Sequence, residues 1–107
     1  MELSQEQRAF RPIEENLIIL ELSQCQYIRE IHRLLKEKFG LPEYYGENWD
    51  ALWDCLDGLF DDREDVVVKV CGFYAMSEEL QEACTPMLEV LEELEQETPN
   101  LHVEILP

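Results

Sequence analysis

A chain of 107 residues, 46% hydrophobic and 31% charged, has the size and composition of one globular domain with a single core. Twenty-five acids against eight bases leave a formal charge of −17, a field that repels RNA, DNA and anionic lipid and draws in cationic partners. Direct nucleic-acid binding and attachment to a membrane surface are therefore excluded as primary functions.

The charge is uneven along the chain. Residues 1–42 hold seven acids and six bases, whereas residues 43–107 hold eighteen acids and only Arg63 and Lys69 as bases. That asymmetry implies one acidic face rather than a uniform acidic coat. Cys25, Cys55, Cys71 and Cys84 contain no CxxC pair, so they read as buried, reduced thiols rather than zinc ligands. The start, MELSQEQRAF, lacks a basic stretch followed by an apolar one. No apolar run reaches the roughly 18 residues of a membrane span. The expectation is a cytoplasmic protein that is monomeric when free.

Residues 1–15 are polar and mixed in charge, with Phe10 and Pro12 as anchors. They read as an N-terminal extension to a domain spanning 16–107. Leu17–Leu22 (LIILEL) is a nearly unbroken apolar run, the pattern of a strand covered on both faces. Ser23 with Gln26 reads as a capping box. The helix it opens has Ile28, Ile31, Leu34, Leu35 and Phe39 at helical spacing, with Arg29, Arg33 and Lys36 outside. Gly40 and Pro42 end it. After a loop at Tyr44–Gly46, Asn48 is a suitable N-cap for a helix from Trp49 to about Leu59.

On that helix Trp49, Leu52, Trp53 and Leu56 form one stripe, and Asp50, Asp54 and Asp57 a row on a neighbouring face. Asp61 to Asp65 reads as a turn and Val66–Cys71 (VVVKVC) as a second strand. Ser77 is expected to cap a short helix through Ala83. Thr85 and Pro86 then open a longer one to about Gln96, with Met87, Leu88, Leu91 and Leu94 inward and Glu89, Glu92, Glu93 and Glu95 outside. Leu101–Leu106 is the last strand. The order β-αα-β-αα-β predicts an α/β fold, a small three-stranded parallel sheet packed with helices.

The aspartate row is the sharpest anomaly. Like charges at i, i+4 destabilise a helix, an acid near a helix C-terminus opposes the macrodipole, and no base lies within one turn. Uncompensated local cost points to function, although a solvated acidic face has the same pattern. Magnesium or calcium would take such oxygen ligands, but no DxDxDG loop or phosphate-gripping lysine accompanies the acids. A paired-carboxylate hydrolase would need a cleft that this short chain has little room to build. Cys25 and His32, seven residues apart, lack a third group to orient the histidine. His32 reads as a surface or half-buried helix residue, and His102 as a lone strand residue. No catalytic, metal or cofactor site is expected, and the chain reads as a non-enzyme.

Residues 41–58, LPEYYGENWDALWDCLDG, closely resemble the signature of the barstar family, intracellular inhibitors of barnase-type secreted ribonucleases. The weaker similarity runs from about Leu17 to Leu106. The resemblance implies a three-stranded parallel sheet packed by helices and one-to-one inhibition of a secreted basic ribonuclease by phosphate mimicry. Asp54, after Trp53, would take the place of the substrate phosphate, and Tyr44 would pack over the catalytic histidine of the nuclease. Gly46, Asn48, Asp50 and Gly58 match other contact positions, and Glu93 is matched on the last helix. Trp49 and Leu59 also fall in the contact region, where they replace the type protein's leucine and tryptophan. The alternative is an acidic interaction module for another basic client, such as a different toxin or a nucleic-acid-binding protein. Such a module need not use Tyr44 and Asp54 together.

Overall fold

The computed structural model of the protein describes residues 16–61 and 64–106. The proposed extension at 1–15 and the Asp62–Arg63 part of the acidic turn lie outside the described residues. The elements, in order, are β1 (Leu17–Glu21), α1 (Ile28–Phe39), α2 (Trp49–Leu56), β2 (Val66–Cys71), a 3-10 turn at Phe73–Ala75, α3 (Glu78–Glu97) and β3 (Leu101–Ile105). The three strands form one sheet in the order β1-β2-β3, with both pairings parallel. This is the α/β fold expected from the pattern of elements.

Registers Ile18↔Val68, Leu20↔Val70 and Val66↔Leu101 put the buried strand residues on one face of the sheet. The helices cover that face with Ile31, Leu35, Leu52, Leu56, Met87, Leu91 and Leu94. β1 differs from expectation here. Its burial alternates, and Leu17 and Ile19 are 44% and 43% exposed, so it is an edge strand covered on one face only. The apolar run LIILEL therefore overstated its burial.

α1 begins later than the Ser23–Gln26 box implied. Its N-cap is Tyr27, and Glu30 Oε1 accepts from the backbone N–H groups of Gln26 (2.7 Å) and Tyr27 (3.2 Å). Ser23 instead bonds Glu21 through its N–H and hydroxyl, in the turn leaving β1. Gly40 ends α1 in the left-handed region (φ 64°), with the Leu41 N–H returning to the Lys36 carbonyl at 2.9 Å.

The largest departure is α3. One helix of twenty residues runs through Pro86 where two were expected. Leu80, Cys84, Met87, Leu91 and Leu94 are all buried, a single stripe that continues across the proline. Burial of such side chains contributes roughly 1.5–3 kcal/mol each, against a cost of about 3 kcal/mol for an internal proline. The missing N–H would have served the carbonyl of Glu82, an exposed residue that water can reach. Thr85 is not a cap, and its hydroxyl donates back to the Gln81 carbonyl at 3.0 Å. Ser77 caps the whole helix, accepting from the Leu80 N–H at 3.2 Å. Glu95 is not left outside either. It is half-buried, and its carboxylate accepts the Val103 N–H of β3 at 2.9 Å.

Candidate functional site: a carboxylate-lined groove between α2 and α3

The loop entering α2 is set by its own backbone. The Tyr45 N–H donates to the Pro42 carbonyl at 3.0 Å, and Glu47 takes a positive φ of 54°. Asn48 is the N-cap as expected: Oδ1 accepts from the Ala51 N–H at 2.8 Å and Nδ2 donates to the Gly46 carbonyl at 3.3 Å. α2 stops at Leu56, short of the expected Leu59. Gly58 adopts φ 80° and turns the chain, leaving Asp57 as the C-cap rather than a helical residue. The three-aspartate row is thus two helical acids and one cap.

Between α2 and α3 lies a groove of about 720 Å³, lined by Trp49, Asp50, Trp53 and Asp54 from α2 and by Pro86, Glu89, Val90 and Glu93 from α3. Its walls carry four exposed carboxylates and no base. None of the four makes a hydrogen bond or ion pair among the described residues. The groove unites five of the ten residues singled out from the sequence: Trp49, Asp50, Trp53, Asp54 and Glu93. Tyr44, 85% exposed, and Gly46 and Asn48 lie in the loop before α2. Gly58 and Leu59 lie beyond its other end, where Leu59 is half-buried against the core.

Trp49 is clamped from two sides. Its indole N–H donates to the Ala83 carbonyl of α3 at 3.2 Å, and its ring lies over His32 of α1 with centroids 4.4 Å apart. His32 is buried, more deeply than the surface or half-buried position expected, and its Nδ1 is 2.7 Å from the Tyr45 hydroxyl. His32 stands four residues after Ile28 and three before Leu35, so the apolar stripe of α1 carries it inward, where the Tyr45 hydroxyl and the Trp49 ring meet it. Glu89, Pro86 and Val90 were likewise missed as groove residues. The signal for Glu89 is its i, i+4 relation to Glu93, the one α3 contact that the resemblance implies.

Burial holds His32 below its ordinary value, with the Glu47 carboxylate pulling partly the other way. Burial raises the Tyr45 phenol well above its usual range. The unfolded chain therefore binds a proton at His32 more readily than the folded one. His32 contributes stability that is fully present above its unfolded value of about 6.5 and is lost as pH falls through its folded value. The expected result is that the native protein loses more urea stability between pH 7.5 and pH 5.5 than His32→Asn, whose amide can still meet Tyr45. Equal losses in the two proteins would remove His32 as the titrating group.

All four cysteines are free. Cys84 is buried and its thiol is pushed up to about 11, while Cys25, Cys55 and Cys71 are half-buried rather than fully enclosed. His102 is exposed, with Nε2 3.8 Å from an Asp65 carboxylate oxygen. Among the described residues no group of three or more His, Cys, Asp or Glu is placed to hold a metal ion, and no helix is long and apolar enough to cross a membrane.

Fold and groove together define a small parallel α/β domain that presents unpaired carboxylates from two adjacent helices beside the tryptophans of α2. The chain belongs to the barstar family: the model described as "Barstar (barnase inhibitor)" matches residues 15–105. It is also 38% identical over 80 residues to the Bacillus subtilis (strain 168) protein named "Putative ribonuclease inhibitor YrdF", a match covering 75% of this chain and 86% of that one.

Proposed function

We propose that the protein is a non-enzymatic, cytoplasmic inhibitor of a secreted basic ribonuclease of the barnase type, which it binds one to one. Asp54 enters the active site of the nuclease in place of the substrate phosphate, and Tyr44 covers the catalytic histidine. Asp50 and Glu93 meet further basic groups. The observation that carries this reading is the groove itself, which sets Asp54 and Trp53 of α2 beside Glu93 of α3 with no base among its lining residues. Family membership and the name of the Bacillus relative support a ribonuclease as the partner.

The experiment is an RNA-cleavage assay across a panel of small basic secreted ribonucleases. At least one barnase-type enzyme is expected to be silenced at a one-to-one ratio. Added salt is expected to slow association while changing dissociation little, because the acidic half of the chain steers the encounter. A salt-independent association rate would count against steering. Tight binding to basic proteins without loss of RNA cleavage would instead favour an acidic module with another client.

A further inference from the structure

We infer that Glu89 is a specificity-determining contact, and that the partner carries one more cationic side chain than Asp50, Asp54 and Glu93 alone would engage. This rests on the ribonuclease-inhibitor reading of the same groove. Glu89 precedes Glu93 by four residues, so the two stand on one face of α3, about 6 Å apart along the axis. Asp50 and Asp54 stand in the same relation on α2. The groove is therefore flanked by two rows of carboxylates, one on each helix, each spanning a turn.

Both rows carry the like-charge cost of i, i+4 acids, and no lining base offsets it. The resemblance assigns roles to Asp50, Asp54 and Glu93 but none to Glu89, which nevertheless lines the same groove one turn nearer the N-terminus of α3. The apolar surface shared there by Trp49, Pro86 and Val90 excludes water from one side of any group seated against Glu89. An arginine or lysine placed at that point pairs with Glu89 in a partly desolvated setting, where opposite charges attract more strongly than in open solvent. A ribonuclease lacking that side chain leaves Glu89 unpaired at the interface and is bound less tightly, which makes the position a discriminator between nucleases.

The test uses the full-length protein and the barnase-type ribonuclease it inhibits most tightly in the panel. Glu89→Gln is expected to raise the dissociation rate at least about fivefold, with thermal stability kept. Glu92→Gln removes the same charge from an exposed residue of the same helix that does not line the groove, and should alter only the association rate, by less than about twofold. Equal effects of the two variants would reduce Glu89 to net charge and overturn the assignment, as would an unchanged dissociation rate in Glu89→Gln. Asp54→Ala separates the two levels. If it weakens binding while Glu89→Gln does not, only the Glu89 assignment falls. If no ribonuclease is inhibited at all, the functional reading falls and Glu89's role falls with it.

Discussion

Replacing Asp54 with alanine is expected to weaken binding to the inhibited ribonuclease by more than about 2 kcal/mol, roughly thirtyfold, and to leave the fold intact. Charged hot spots commonly reach this size, and barstar is a reference case for them. The fold should tolerate the change because Asp54 is exposed and makes no hydrogen bond or ion pair among the described residues. Removing it relieves an i, i+4 repulsion with Asp50 that costs a few tenths of a kcal/mol. In the complex the balance is reversed. An anion pressed among the bases of an active site interacts strongly because water is excluded, and its loss strands those bases without a partner. Calorimetry or stopped-flow binding, paired with a thermal melt, separates the two effects. A folded Asp54→Ala protein with an unchanged dissociation constant would falsify phosphate mimicry by this residue.

Phe39→Ala is expected to cost about 3–5 kcal/mol of stability, a large part of the roughly 5–15 kcal/mol typical of a domain. Phe39 is fully buried and meets Phe60 edge-on, with ring centroids 6.1 Å apart. The two rings sit at either end of the stretch that forms the entry loop and α2. Phe39 is the last residue of α1, and Phe60 follows the Gly58 turn. Phe60 is fixed further by Asn100, whose side-chain amide donates to the Phe60 carbonyl at 2.7 Å. The pair closes the base of the segment carrying Tyr44 to Asp54, so its packing holds the entry loop and α2 to the core. Urea unfolding should show a lowered midpoint with little change in slope. A loss below about 1 kcal/mol would mean that the site closes around the missing ring more completely than the dense core suggests.

Much of this was legible in the residues. The strand at Val66–Cys71, the Asn48 cap and the Gly40 stop are local signals, and each appears where its chemistry places it. What escaped the sequence depended on tertiary contact. Pro86 reads as a helix start, and only a buried stripe running from Leu80 to Leu94 carries the helix through it. An apolar run such as LIILEL does not reveal whether one face or both will be covered, and the answer rests on where the helices pack. Trp49 belongs to an apolar stripe by spacing. Its role as a strut between α1 and α3, through His32 and the Ala83 carbonyl, needs three elements in place at once. The acids were visible as an anomaly, but which of them share a groove was not, because Glu89 and Glu93 lie some forty residues beyond Asp50 and Asp54.

The bond from Glu95 to the Val103 N–H has a bearing on aggregation. The Asn100 carbonyl and Leu106 N–H that flank β3 face β2, so by alternation the Val103 N–H points away from the sheet, where another chain's strand would add. Glu95 occupies that donor and places a carboxylate across the edge, a charged guard against intermolecular strand pairing. β1 has no such guard among the described residues: its outer side pairs with no strand, and Leu17 and Ile19 are exposed along it. Among the described residues the two rims of the sheet are thus unequal: a glutamate from the neighbouring helix guards β3, and no counterpart guards β1.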